Sequence, residues 1–367
     1  MFGVMGLLSL LVAGSAVSSA LTDDLVDETD EPSDADEDTR DGLTNVVTAT
    51  LDSAPVTGSD ANDLLQGGTV GDLLNGGAGD DVLDGGNGDD LLWGGDGDDA
   101  LLGGLGIDAL IGEDGDDLLS GADGADELLG QEGDDALSGG NGDDTLIGGA
   151  GADTLLGDDG DDSLAGVSGD DLLVGGNGTD TLMGGTGDDI LIGGDLTLGE
   201  DDWLDDMTDA VDEAVESALG IGGLGGSLDL GPVPEDQDVE DTPEIIDDST
   251  VDFLNAGSGD DMLIGGSADV MHGGQGADTF MLDIRGSGAP AQVMDFHQDD
   301  GLVLIHGDDG PPAEVTVHVS DDDPDMFEIT ADGDLVAKVI APDGLSAADV
   351  ELLAYAQVQQ LLTGQVG

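Results

Sequence analysis

The chain contains no cysteine, so no disulfide can staple it. Basic side chains are almost as scarce: Arg40, Arg285 and Lys338 stand against 87 acidic residues, for a formal net charge of -84. A surface of that sign repels nucleic acid and anionic membranes, which excludes both as partners. Aromatic residues make up 2% of the chain, too few for a sugar-stacking platform. The four histidines, His272, His297, His306 and His318, are isolated, with no second histidine at helical spacing to complete H-E-x-x-H. There is no G-x-S-x-G elbow and no cysteine nucleophile. Carboxylate pairs are frequent, but they recur in phase along the chain instead of marking one acid/base couple. The expectation is a protein that is not an enzyme.

What the chain has in excess is glycine and aspartate held in phase. Fourteen nine-residue units run from Gly67 to Ile192 without an insertion or deletion. Slot one is always glycine (Gly67, Gly76, Gly85, Gly94 and onward through Gly139 to Gly184). Slot four is glycine (Gly79, Gly88, Gly97, Gly142) in every unit but the first, which has Val70. Slot eight is always leucine, from Leu74 to Leu191. Slot six is always aspartate: Asp72, Asp81, Asp90, Asp99, Asp108, Asp117, Asp126, Asp135, Asp144, Asp153, Asp162, Asp171, Asp180 and Asp189. One more unit in frame, from Gly58 to Gln66, places Asp63 in the same slot and opens the series. A disordered acidic tract would lack the recurring leucine, and a merely salt-adapted surface would scatter its acids instead of phasing them with glycine.

Units such as Gly76 to Asp84 and Gly139 to Ile147 resemble the RTX, or hemolysin-type, calcium-binding nonapeptide repeat at every fixed slot. The resemblance implies a right-handed parallel β-roll: each unit a short strand plus a turn, two units to a coil, several calcium ions bound. The chemistry of the residues agrees. Glycine admits positive φ and lets turn carbonyls point inward. Calcium takes six to eight oxygen ligands and readily mixes carbonyls with carboxylates. Slots six and eight lie on one side of an extended chain, so Asp81 faces the ion and Leu83 the core. Candidate metal-site residues are therefore the slot-six aspartates, with the slot-one and slot-four glycines Gly76, Gly79, Gly85, Gly88, Gly94, Gly97, Gly139 and Gly142 around them. Adjacent loops lie eighteen residues apart, so Asp81 is expected to share ions with Asp99, and Asp90 with Asp108. One ion per gap sets a ceiling of about a dozen. Loops with Glu113, Ala122, Gln131, Asp158 or Val167 at slot two depart from the pattern and are expected to bind weakly or not at all. Charge repulsion and glycine entropy oppose compaction, so the chain is expected to fold only when calcium at extracellular levels neutralises the loops.

The remaining segments are read in order. Residues 1–21 are uncharged and of a length for a signal peptide or an anchor. RTX proteins generally leave by type I secretion through a C-terminal signal, so this segment departs from the family's pattern. Residues 22–57 read as acidic linker and 58–194 as the roll. Residues 195–250 read as an insertion, with an amphipathic helix over 202–220 carried by Trp203, Met207, Val211 and Val215. A second block spans 251–281, with Asp252, Asp261 and Asp278 as further metal candidates and one unit, Gly265 to His272, a residue short. Residues 282–367 read as a β-rich cap and secretion-signal region. There the run from Gly276 to Ile305 resembles the segment that closes the RTX block in serralysin-type proteases, after which short antiparallel strands are expected. Strands are expected at Glu314 to Ser320, Met326 to Thr330 and Leu335 to Ile340, then a helix from about Ser346 to Leu362 with Ser346 as N-cap.

Slot nine faces outward. On one sheet it reads Trp93, Ile111, Leu129, Ile147, Ala165 and Met183, an apolar row; on the other it is more broken. The fold expected is all-β: a right-handed parallel β-roll with a short helical insertion and a small β-rich cap ending in a helix. The function expected is an extracellular calcium-binding protein with a structural, cell-surface or matrix role. The alternative is an accessory or carrier module for an extracellular enzyme. Partners expected are calcium ions, the type I secretion apparatus and an unidentified surface component.

Overall fold

In the computed structural model, residues 45–48, 55–197, 244–246 and 250–362 are described, except 287, 308–312, 322 and 343. The nine-residue unit is written directly into the backbone. Slots seven to nine and the first three slots of the next unit form one six-residue strand, as in Leu73–Ala78, Val82–Asn87 and Leu91–Asp96. Slots four to six turn the chain. Successive strands go to opposite sheets, so every strand pairs in parallel with the one eighteen residues on: Leu83 with Leu101, and Leu92 with Leu110. The result is a parallel β-roll of two facing sheets, of 13 and 14 strands.

Slot eight fills the space between the sheets. The leucines from Leu65 to Leu191 form one ladder at 0–1% exposure, continued by Leu254, Leu263, Met271 and Phe280. Complete burial of each such side chain contributes about 2 kcal/mol. The roll starts before its first full unit, since Asn45–Thr48, inside the stretch read as linker, already pairs with Asp63–Gly68.

The insertion leaves the period intact. Thr181 pairs with Phe253, 72 positions away, which is one coil of 18 plus 54 added residues. Its base is a two-stranded antiparallel stem, Asp195–Thr197 against Glu244–Ile246. The amphipathic helix expected over 202–220 lies outside the described residues, as do the segments 1–21 and 22–44. The short unit shifts the register from 18 to 17, Leu254 pairing with Met271, and the sheets run on.

The cap departs from expectation in two ways. First, the chain does not leave the roll at once for antiparallel strands. Ala291–Val293 and Asp334–Ile340 extend one sheet in parallel, and Gly301–His306 and Val350–Ala354 extend the other. Only then do Val315–Val319 and Met326–Ala331 add antiparallel strands beside Asp334–Ile340. Second, the final helix is shorter than expected, Tyr355–Leu362. Residues 350–354 instead pair with the open edge at Gly301–His306 and take up its free hydrogen bonds. Ser346 does not cap that helix; its N–H and Oγ donate to Asp349 in a local turn. Tyr355 and Val358 of the helix join Val174, Ile192, Ile264, Met281, Val303 and Ile305 in a second cluster outside the roll. The slot-nine row that looked broken in sequence is thus the covered one at this end. Across from it, the Trp93 row stacks in register as expected, half-buried apart from the exposed Met183. Arg285 clamps the helix: it bonds Asp283 through Nε and Nη2 and stacks its guanidinium 3.6 Å over the Tyr355 ring.

Candidate metal centre

Each slot-six aspartate begins as a turn residue and ends as a strut between coils. Its backbone N–H donates to Oδ1 of the slot-six aspartate one coil further on: Asp72 to Asp90 at 2.6 Å, Asp81 to Asp99 at 2.7 Å, Asp117 to Asp135 at 2.9 Å. Its carbonyl accepts from slot seven of that same coil, as Asp81 does from the N–H of Ala100. Two such columns line the roll. One runs from Asp63 through Asp81, Asp99, Asp117, Asp135, Asp153, Asp171, Asp189 and Asp261 to Asp278. The other runs from Asp72 through Asp90, Asp108, Asp126, Asp144, Asp162 and Asp180 to Asp252. The pairs expected to share an ion are the pairs the structure links.

Two aspartates that sequence reading missed finish these columns. Asp269 accepts from the N–H of Asp252 at 3.1 Å, and Asp300 from that of Asp278 at 3.1 Å. Asp269 sits in the shortened unit, where counting by nine skips it. The signal was there: it stands two residues before the core residue Met271, the spacing of slot six to slot eight. Asp295, in the cap, accepts from the N–H groups of Gly273 and Gly274.

While Oδ1 is used in this ladder, Oδ2 is not. In Asp81, Asp90, Asp99, Asp108, Asp117, Asp126, Asp135, Asp144, Asp153, Asp162, Asp171, Asp189 and Asp261, Oδ2 is buried and has no hydrogen-bond partner. A buried carboxylate oxygen left this way is costly in water-free surroundings. The glycines give it room. A methyl group on Gly85 would lie 2.6 Å from Asp90 Oδ2 and 2.8 Å from the Gly103 carbonyl oxygen; on Gly139 it would meet Asp144 Oδ2 at 2.5 Å and the Gly157 oxygen at 2.9 Å. Carboxylate and carbonyl oxygens therefore crowd the same glycine-lined space. Slot four is as tight, Gly97 lying against the Gly79 carbonyl.

Burial drives these carboxyls upward, only partly offset by the backbone hydrogen bond, and neighbouring aspartates, in the column or in the adjoining turns, add to the rise. Asp99 and Asp162 are pushed to about 8, and Asp126, Asp135 and Asp189 to about 7. Asp81, Asp108, Asp117, Asp144, Asp153 and Asp261 are pushed to about 6. A fold that keeps this many carboxyls uncomfortable as anions is built for a counter-charge. The donor set is all oxygen, which fits a hard divalent cation such as calcium and offers nothing soft to zinc or copper. Among the described residues no three or more His, Asp or Glu side chains gather at one point. Slot-six carboxylates and turn carbonyls would therefore hold calcium together, and the bound ion would supply the positive charge that lets the carboxyls stay ionised.

Slot five is different in kind. Asp98 N–H donates to Asp80 Oδ1, Asp116 N–H to Asp98 Oδ1, and Asp134 N–H to Asp116 Oδ1. This ladder is exposed and runs in the opposite sense along the axis.

The slot-two residues that depart from glycine do not distort their loops. Glu113, Ala122, Gln131, Asp158 and Val167 all hold positive φ, between 70° and 95°, as the neighbouring slot-two glycines do.

A family model for the RTX calcium-binding nonapeptide repeat matches the chain at residues 57–92, 75–110, 93–128, 102–137, 129–164, 138–173, 165–195 and 247–280. No curated protein matches it.

Proposed function

This chain is an RTX-type repeat protein over residues 57–195 and 247–280, with calcium-binding repeats that form a β-roll, and we propose that it is an extracellular structural protein assembled by calcium, with a surface or matrix role and no catalytic site. The observation that carries this reading is the pair of buried aspartate columns with unpartnered Oδ2 atoms. They make the apo fold expensive and the ion-loaded fold stable, so metal binding energy becomes folding energy. Millimolar calcium outside a cell meets that need and cytosolic calcium does not. The regularity of the roll also supports a scaffold: coil after coil pairs in parallel with the next in unbroken register from Leu73 to Ile192. No helix among the described residues is long and apolar enough to cross a membrane. The repeat family is typically secreted, which supports export, and type I secretion is the proposed route.

Far-ultraviolet circular dichroism during a calcium titration tests the folding reading. The full chain should lack β-structure in chelator at low salt and gain it cooperatively with calcium, while magnesium, which holds its waters and demands octahedral geometry, substitutes poorly. A spectrum indifferent to chelator would overturn it. Mass spectrometry of culture supernatant and membrane fractions, with the N-terminus determined, tests the location.

A further inference from the structure

Three loops in the roll differ from the interior loops whose Oδ2 is unpartnered, and not by the residues that looked irregular in sequence. At Asp63, Oδ2 accepts from the N–H and Oγ of Ser59. At Asp72 it accepts from the N–H of Gly68 at 2.8 Å, and at Asp269 from the N–H of Gly266 at 2.6 Å. Ser59, Gly68 and Gly266 all occupy slot two. In the interior loops whose Oδ2 is unpartnered, the slot-two residue has positive φ, whether it is Gly77, Gly140, Glu113 or Val167. Ser59, Gly68 and Gly266 do not adopt positive φ. The two observations coincide in these loops: in the thirteen with a left-handed slot two named above the carboxylate oxygen is bare, and at Asp63, Asp72 and Asp269 the slot-two N–H satisfies that oxygen.

Resting on the calcium-binding reading above, we propose that slot-two conformation, not slot-two identity, divides this chain's loops into calcium-holding and calcium-free ones. The loops of Asp63, Asp72 and Asp269 take no ion through Oδ2, because a protein donor already stands in the position of the cation. The first two open the two columns and the third closes one of them, so at these ends Oδ2 is satisfied without metal, although Oδ1 of Asp63 is buried without a partner. The loops with Glu113, Ala122, Gln131, Asp158 and Val167 hold calcium like their glycine neighbours. A β-carbon disfavours positive φ, and these five positions keep that backbone all the same. The turn that bares the carboxylate is retained even where glycine is not there to make it easy.

The test counts ions bound to the full chain in saturating calcium, by equilibrium dialysis with atomic absorption, in Asp→Asn variants. Asp171→Asn, in the Val167 loop, and Asp117→Asn, in the Glu113 loop, should each lower the count by at least one, as Asp144→Asn in a glycine loop does. Asp72→Asn and Asp269→Asn should leave it unchanged. Loss of ions from Asp72→Asn or Asp269→Asn, or an unchanged count in Asp171→Asn and Asp117→Asn, would overturn the assignment while leaving calcium binding itself intact. Wild type that binds no calcium would overturn both. Should a substituted chain fail to fold, an anomalous-difference map of crystals of the calcium-loaded wild type decides without any variant. Ions at the Asp117 and Asp171 loops and none coordinated by Asp72 or Asp269 is the expected map; the reverse overturns the proposal.

Discussion

Asp99 shows what the repeat asks of one side chain. Its Oδ1 holds the coil before it, its Oδ2 faces glycine, and burial lifts its carboxyl to about 8. An unfolded aspartate titrates near 4. A folded-state value above the unfolded one contributes stability that is fully present below about pH 4 and is lost as pH rises through the folded value. For the columns described here that loss begins above about pH 4 and is complete by roughly pH 6 to 8, as each raised carboxyl ionises in turn. The metal-free roll should therefore be least stable at neutral and alkaline pH, where calcium is needed most. Protons neutralise the same carboxyls in the folded state, so the free calcium at the folding midpoint should rise as pH rises from about 6 to 8. Dichroism titrations across that range check this, and a midpoint independent of pH would contradict it. At this scale the sequence was legible in its regular slots: aspartate six, leucine eight and the glycines all stand where the period put them. Asp269 was not, because a one-residue deletion breaks the counting while the three-dimensional column continues. Nor was the conformation at Val167, since a valine at positive φ is something only the neighbouring coils can impose.

Within single strands, the two faces carry unequal weight. Leu128 is fully buried in the ladder between the sheets, whereas Ile111, one coil earlier and one slot outward, is half-buried. Leu128→Ala should cost about 3 kcal/mol in saturating calcium, through lost transfer energy and the cavity left behind, while Ile111→Ala should cost less than about 1 kcal/mol. Urea unfolding of the two variants separates them; equal losses would mean that the outer row is covered. The six-residue strands and the three strands of the cap were readable from periodicity and β-branched runs. The segment 350–354 was not, because Val350–Ala354 has residues that suit a helix as well as a strand. What decides it lies elsewhere: Gly301–His306 presents an unpaired edge, and the segment fills it before Tyr355 begins the helix. That helix then covers Ile264 and Met281, an outward row whose burial depends on a partner far along the chain.

Across the whole molecule, charge and topology act together. In a chain of -84, cations in the columns relieve the repulsion that opposes stacking coil on coil. Because each coil contacts chiefly its neighbours, breaking one interior loop should divide a single cooperative transition into two. Asp117→Ala or Asp135→Ala should accordingly turn the one-step calcium titration of wild type into a broader or biphasic one, and a curve superimposable on wild type would argue against slot six as ligand. The same neighbour-only logic governs the stem at Asp195–Thr197 and Glu244–Ile246, where the chain steps out of the roll and re-enters in phase. The repeat does not count what lies between. Loop-closure entropy grows slowly, so exchanging residues 198–243 for a Gly/Ser loop of about six residues should change the roll's stability by only roughly 2 kcal/mol, in its favour. A melting temperature in calcium that falls sharply after that exchange would show the roll leaning on its insertion. If it holds, the stem is a graft point: a socket in a periodic host where sequence of any length can be exchanged, tried and discarded without retuning the coils on either side.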